Sequence, residues 1–592
     1  MKMPYIPQDA PFSEDQRVWL TGFLAGMSSR LVVGGSDAPA AAGGGQLPAM
    51  HVLYGSQTGN AEGVAEDAAA AARSQGFAPV VSALDDVDTD ALAAMHRVLV
   101  VTSTYGEGEM PDNAELFWQA LAAETAPRLE NTDFAVLALG DTGYDGYCQA
   151  GKMIDTRLEQ LGARRVTPRV DCDVDYEDTA AAWVADTLPL FAAVEGIRGE
   201  SPVADVADVA EPETKPARKR SQWNRKNPYA STLSVNRRLS SDTSAKEIRH
   251  YEFALADSGL EYEAGDALGV MPINDPALVD ALVSRLGIPA DAAVTGKERP
   301  FSDLLLHGYE ISTPSHEFID EIEKRAGDEE LSHVLRHGDK EALDAWLWGK
   351  DVLDLLLLEP SVTLTADEFV GLLKPLQHRA YSISSSPLAN PGSVHLTVAS
   401  VRHSSAGRDR GGVCSTFLAD RIAEGGNGGI FVSKNKSFRV PANDDAPMIM
   451  VGPGTGIAPF RAFLQERQAR GASGRNWLFF GDQHRASDYI YEDEIGAMSD
   501  SGLLTRLDLA FSRDQAEKIY VQNRMVENGA ELFAWLEDGG HFYVCGDATR
   551  MAKDVDRALH EVIATHGTLS TEQAADYVTK LKKEKRYLRD VY

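Results

Sequence analysis

Residues 53–69, LYGSQTGNAEGVAEDAA, pass from an apolar start into a glycine-bounded loop, Gly55-Ser56-Gln57-Thr58-Gly59-Asn60, and then into an alanine-rich helical pattern. A strand that turns through such a loop into a helix gathers hydroxyls and backbone N–H groups at a helix N-terminus, a geometry that suits a phosphate. Outward from this point, β-type apolar runs at 52–54, 98–101 and 134–139 alternate with helix-like segments from residue 50 to about residue 195. Strands alternating with helices predict a parallel, doubly wound sheet. Two further loops, Ser103-Thr104-Tyr105-Gly106-Glu107-Gly108 and Leu139-Gly140-Asp141-Thr142-Gly143-Tyr144, fall on the same carboxyl edge, where open α/β sheets bind ligands. Each brings an aromatic ring. The loops therefore predict a site for a planar ring system carrying one phosphate, with the phosphate on the first loop. Tyr105 and a second tyrosine, Tyr54 or Tyr144, would cover the ring faces.

The chain has 592 residues, 43% hydrophobic and 25% charged. At about 100–200 residues per domain this predicts several packed units, with three as the first expectation. The formal net charge of −32 opposes attraction to nucleic acid or anionic lipid. Cys148, Cys172, Cys414 and Cys545 are scattered without a C-x-x-C pair, so neither a metal site nor a disulfide framework is expected, and the usage suits a reducing cytosol. The N-terminus lacks the apolar core of a signal peptide, and no stretch approaches the roughly 20 apolar residues of a membrane span. A soluble, unanchored cytoplasmic protein is the expectation. Residues 12–30 carry a capping-box pattern, Ser13 to Gln16, followed by Val18, Trp19, Phe23 and Leu24 at helical spacing. This predicts a short amphipathic helix, packed on the protein itself or docked to a second copy, ahead of a Gly- and Ala-rich tether at 34–48.

The remaining organisation follows from composition. Residues 1–49 form the N-terminal helix and tether, 50–195 the first α/β domain, and 196–222 a Pro-containing linker with a basic cluster. Residues 223–441 read as a strand-rich domain interrupted by a helical insertion at about 271–372. From 442 to 592 strand and helix alternate again. In the strand-rich domain, Arg379-Ala380-Tyr381-Ser382 offers a cation, an aromatic face and a hydroxyl, and RGGVCSTFLADR places Gly411, Gly412, Ser415 and Thr416 before a helix, a nest able to bind a pyrophosphate. In the last domain, GPGTGIAP at 452–459 allows close approach by a dinucleotide. AFSRDQAEKIYVQ sets Ser512, Arg513 and Lys518 just past a strand, a site for a 2′-phosphate, which favours NADPH over NADH. Tyr520 is placed to cover the adenine.

These motifs carry a resemblance. The SQTGN and STYGEG pair resembles the FMN-binding flavodoxin family in its reductase branch. The RAYS and RGGVCS pair resembles the FAD domain of the ferredoxin-NADP reductase superfamily, and from about residue 50 to its end the chain resembles the diflavin reductases. The resemblance implies an FMN site at Ser56, Gln57, Thr58, Gly59, Asn60, Ala61, Ser103, Thr104, Tyr105, Gly106, Leu139, Gly140, Asp141, Tyr144, Tyr147 and Cys148. It implies an FAD site at Arg379, Ala380, Tyr381, Ser382, Thr397, Val398, Ala399, His403, Gly412, Val413, Cys414, Ser415 and Tyr592, with His403 where the family usually has tyrosine. NADP contacts are implied at Gly454, Thr455, Ser512, Arg513, Lys518, Tyr520, Gln522 and Asp554. Ser382, Cys545 and Asp590 are implied around the nicotinamide, with the terminal Tyr592 over the flavin. The implied activity passes electrons from NADPH to FAD to FMN and on to a one-electron acceptor in another protein. FSEDQRVWLTGFLAG, SRDQAEKIYVQ and RDVY resemble the flavoprotein branch of assimilatory NADPH-sulfite reductases, which implies a sirohaem and iron–sulfur partner subunit and a part in cysteine biosynthesis. Donation to a haem mono-oxygenase or other metalloprotein, and a non-catalytic flavin-binding regulatory module, are the alternatives.

Overall fold

In the computed structural model, residues 47–195 and 221–592 are described, apart from 107, 145, 338 and 339. The N-terminal amphipathic segment, its tether and nearly all of the basic linker lie outside the described residues. The first sheet runs β2 (Ala78–Ala83), β1 (Ala49–Gly55), β3 (Arg97–Ser103), β4 (Asp133–Leu139), β5 (Arg164–Arg165), with β6 (Val170–Cys172) also on β4. Every pairing is parallel. All seven residues of β4 are buried, as an uninterrupted apolar strand in a doubly covered sheet must be. Helix α1 (Asn60–Ser74) packs through Ala61, Ala65, Ala68, Ala69 and Ala72, small residues that let it lie close over β1. The order 2-1-3-4-5 places the topological switch between β1 and β3, where the loop quoted first emerges.

The second unit is an antiparallel sheet in the order β10 (Arg379–Ser382), β9 (Ala267–Met271), β14 (Asn427–Ser433), β7 (Tyr229–Arg238), β8 (Glu247–Ala254), β11 (Ser393–Ser400). An Ile383–Leu396 bridge brings its two ends together, as in a barrel. A short hairpin, β12 (Arg402–Ser405) with β13 (Arg408–Gly411), stands beside it. Between β9 and β10, the described helices from Pro276 to Gly371 build a core of their own around Phe301, Phe318, Leu355 and Phe369. Asp275 caps the first of them, with Pro276 behind it and Gly287 at its end, so the insertion starts and stops on strong local signals. The third sheet, β17 (Arg506–Phe511), β16 (Asn476–Asp482), β15 (Met448–Val451), β18 (His541–Gly546), β19 (Tyr587–Val591), is parallel throughout. Its last strand was not foreseen from the sequence.

Candidate functional site

The first loop is built as an anion cradle. Gly59 sits at φ 82 and caps α1 without a side-chain bond, and a Cβ there would lie 2.5 Å from the Lys434 carbonyl. The main-chain amides of Gln57, Thr58, Gly59 and Asn60 make no hydrogen bond among the described residues. Four free N–H groups at the positive end of a 15-residue helix fit a phosphate monoester such as that of FMN. The Ser56 hydroxyl accepts from the Ala61 amide at 3.2 Å and the Ser56 amide donates to Asn113 at 2.7 Å, so both stiffen the loop. Gln57 is turned to Asp112, whose amide donates to its side-chain oxygen at 2.9 Å. Asn113 was missed in the sequence because it touches the loop only through the fold.

The three loops meet. Ser103 reaches the Gly55 carbonyl at 3.4 Å, the Thr104 amide donates to the Leu139 carbonyl at 3.0 Å, and the Ala150 amide donates to the Thr104 hydroxyl. Gly106 is left-handed, at φ 55. Asp141 folds its own loop by accepting from Gly143, and Gly140 donates to Cys172. Of the two candidate second tyrosines, Tyr144 stands 51% exposed beside the loops, whereas the Tyr54 hydroxyl is engaged by Glu62 on α1 at 3.1 Å. Tyr144 is the more exposed of the two. Tyr147 lies under the Lys152 ammonium. The Cys148 thiol is buried against the Ala138 and Cys172 carbonyls, and burial pushes it up to about 12, so its side chain acts as core.

The second site lies on β10, β11 and the turn after β13. The amides of Val413, Cys414 and Ser415 make no hydrogen bond among the described residues, while the Ser415 hydroxyl accepts from Val401 at 3.1 Å and Gly412 donates to the Val401 carbonyl. This turn fits a pyrophosphate. Arg379, held by Glu310 at 3.2 Å, and Tyr381, half-buried over Cys414, stand on β10; Ala380 points out between them. The Thr397 hydroxyl is taken by Tyr491 at 2.7 Å, Val398 is buried, and Ala399 is half-buried beside it, so this strand offers backbone. His403 faces Trp348.

The third site crosses the carboxyl ends of its sheet. Gly454, at φ 59, and Thr455 open the turn after β15, and a side chain on Gly456 would collide with the Cys545 carbonyl. Beyond β17, Ser512 is buried against Asp482. Arg513 and Lys518 are exposed and, among the described residues, pair with no carboxylate. Two such cations on a chain of charge −32 are suited to an anion. Tyr520 is 43% exposed, and Gln522 bonds Asp554 at 3.3 Å across to the next helix. Lys246 of β8's approach, paired with buried Asp482 at 2.6 Å, adds a cation that the sequence did not single out.

Between the second and third sites, the register of β18 with β19 sets Cys545 beside Asp590. Ser382 donates to Asp590 Oδ2 at 2.5 Å, and the Cys545 thiol lies 3.8 Å from the same oxygen. Burial raises the Asp590 carboxyl above its ordinary range, against the pull of these two donors, and burial with Asp590 beside it keeps the Cys545 thiol protonated. Tyr592 pairs with Gly546 and Ala548 through its backbone, touches Thr455 Oγ1 with its hydroxyl at 3.0 Å, and as a residue is 60% exposed. The Tyr105 hydroxyl donates to the Val591 carbonyl at 2.6 Å, so the first site abuts this cluster. Around it, Arg589 pairs with Asp112 and with Glu115 at 3.2 Å, Lys582 with Glu115 at 3.0 Å, and Lys436 with Glu62 at 2.7 Å. Carboxylates of the first unit thus meet cations of the other two.

His250, Glu252 and His395 also converge, with ligand atoms within 4.8 Å of one another. The Arg461 guanidinium, 3.4 Å from His395 Nδ1, opposes a divalent cation there. The Tyr491 hydroxyl at 2.7 Å from His250 makes the cluster a hydrogen-bonded network joining the barrel to the third unit.

Comparison with known proteins matches three family models in succession along the chain. The flavodoxin family model matches residues 52–183, the FAD-binding domain model 221–417 and the oxidoreductase NAD-binding domain model 450–557. The chain is 42% identical over 590 residues to the sulfite reductase [NADPH] flavoprotein alpha-component of Bacillus subtilis, covering 98% of this chain and 96% of that protein. It is 43% identical over 586 residues to the Klebsiella pneumoniae protein of the same description, with coverage of 98% and 96%. The Escherichia coli counterpart is 42% identical over 584 residues, with coverage of 98% and 95%. This is an NADPH-dependent flavoprotein oxidoreductase that uses FMN and FAD. The identity runs through nearly the whole length of each chain, and the protein belongs to the diflavin reductase family, in the branch of the NADPH-sulfite reductase flavoprotein alpha-components.

Proposed function

We propose that the protein is the electron-donating component of an assimilatory sulfite reductase, and that its acceptor is a sirohaem and iron–sulfur subunit that reduces sulfite to sulfide. The reading assigns FMN to the unit at 50–195, FAD to 223–441 with its helical insertion, and NADPH to 442–592. When bound, the nicotinamide supplies electrons in pairs and the two flavins release them singly.

The observation that supports it best is the hydrogen bond from Tyr105 to Val591, because it joins the loop assigned to the FMN ring to the strand that leads into Tyr592. Ser382, Cys545 and Asp590 form a buried group in which Asp590 Oδ2 accepts from both neighbours, which fixes their orientation at the junction assigned to flavin and nicotinamide. Thr455 steadies the Tyr592 hydroxyl, so nicotinamide entry must break that bond. Residues 51–195 hold 25 Asp and Glu against 8 Lys and Arg, a balance that supports docking to a basic face of a haemoprotein. Among the described residues no helix is long and apolar enough to cross a membrane, which agrees with work in the cytoplasm.

The test is reconstitution with a purified sulfite reductase haemoprotein. Sulfide formed from NADPH only when both proteins are present supports the assignment. Cytochrome c reduction without sulfide formation would leave a diflavin donor for another metalloprotein. Flavins that NADPH fails to reduce would favour the regulatory module.

A further inference from the structure

Two distant parts of the chain meet at Asp112. Its amide donates to Gln57 Oε1 at 2.9 Å, and its Oδ2 accepts from Gln57 Nε2 at 3.4 Å, so it holds the side chain that opens the phosphate loop. Its neighbour Asn113 accepts from the Ser56 amide at 2.7 Å. Residues 112 and 113 together brace the start of that loop. The other carboxylate oxygen of Asp112 is taken by Arg589 of β19. Neighbouring side chains on a strand leave by opposite faces, and β19 uses both. Asp590 joins Ser382 and Cys545, whereas Arg589 reaches across to Asp112 and Glu115. One strand of the third unit thus touches the group assigned to nicotinamide and the brace of the loop assigned to FMN.

The charges give this contact a sign. Gln57 begins the run of four free amides that fits a phosphate dianion, and the Asp112 carboxylate is bonded to that same residue. A bare carboxylate at this position repels a dianion in the loop, and the Arg589 guanidinium offsets the repulsion for as long as the pair is closed. The Arg589 and Asp112 side chains are 25% and 22% exposed, so water screens them only in part. We propose that Asp112 is a positioning residue for FMN whose effect is set by Arg589. With the third unit seated, the neutralised carboxylate braces the loop and FMN is held; with Arg589 withdrawn, the uncovered carboxylate loosens it. Coupling between sites is reciprocal, so bound FMN in turn favours the seated arrangement. This rests on the FMN placement proposed above.

The experiment uses the full-length holoenzyme and its Arg589→Ala, Asp112→Asn, Arg589→Ala/Asp112→Asn and Gly59→Ala variants. Each is diluted and the released FMN and FAD are separated and quantified, which gives an FMN dissociation constant and an FAD control in one sample. Arg589→Ala should weaken FMN by roughly five- to tenfold, the lower end of couplings between sites, and leave FAD retention unchanged. Adding Asp112→Asn to that chain should restore FMN to near the wild-type value, because the charge that Arg589 covers is then gone. An Arg589→Ala defect that Asp112→Asn fails to relieve would show a structural role for Arg589 and overturn the inference. Equal loss of FMN and FAD from Arg589→Ala would overturn it as general damage. Gly59→Ala serves as the control on placement, since its Cβ would lie 2.5 Å from the Lys434 carbonyl and distort the cradle. FMN lost from Gly59→Ala but held normally by Arg589→Ala would overturn the role of Asp112 and leave the FMN site standing. FMN held normally by both would overturn the placement of FMN and this inference with it.

Discussion

Replacing Arg513 and Lys518 together by alanine isolates the 2′-phosphate, the one group by which NADPH differs from NADH. Both side chains are exposed and, among the described residues, neither has a carboxylate partner, so their removal strands no internal charge. A charge-assisted contact contributes about 1.5–3 kcal/mol, and solvent screening brings exposed cations toward the lower end. Two of them give about 2–4 kcal/mol, or roughly 30- to 1,000-fold in kcat/KM for NADPH. NADH should change by less than about threefold, since no contact to it is lost. Steady-state reduction of a soluble one-electron acceptor with each coenzyme measures both numbers. Repeating it across ionic strength adds a check, because the NADPH dependence on salt should flatten in the double variant. Equal losses for NADPH and NADH would refute the reasoning and place these cations elsewhere.

Deleting Tyr592 removes its hydroxyl contact to Thr455 and its exposed ring, so NADH, which lacks the phosphate contacts to offset that displacement, should gain relative to NADPH; an unchanged ratio of kcat/KM would withdraw the gating role. Acceptor reduction should slow as ionic strength rises from low to physiological values if the acidic first unit steers docking, and Asp112, engaged here by Arg589, should contribute only after that pair opens. Burial, then Arg461, depresses His395 to about 4 and His250 to about 2, so the folded protein keeps both neutral while the unfolded chain protonates them below about 6.5. Stability is then complete above that pH and falls by a few kcal/mol as pH drops toward 4. Urea midpoints against pH should show that slope, and His395→Gln should roughly halve it, His250 keeping the rest.

The phosphate loop at 53–69 and the buried strand β4 were legible because a continuous apolar run and a Gly-bounded polar loop are local patterns. The helical insertion was legible from the helical patterning of stretches such as 278–287 and 344–358, and the structure adds the caps Asp275 and Gly287. Strand β19 was not legible, since Arg589 and Asp590 within five residues hide its period, and only its pairing with β18 brings Asp590 to Cys545. Gln57 looked like a phosphate ligand but is turned to Asp112, 55 positions away. Lys246 and Asp482 are 236 residues apart, and no spacing rule joins them. Tyr54 and Tyr144 could not be separated by sequence, because the Glu62 contact that occupies Tyr54 depends on the close packing of α1 over β1.

The most direct measurement of the relay is selective removal of FMN from the full-length protein, followed by rapid-mixing spectroscopy with NADPH. The account predicts that FAD reduction by NADPH persists, that electron delivery to the haemoprotein stops, and that added FMN restores it. Undiminished delivery to the haemoprotein by the FMN-free chain would contradict the order NADPH, FAD, FMN, acceptor.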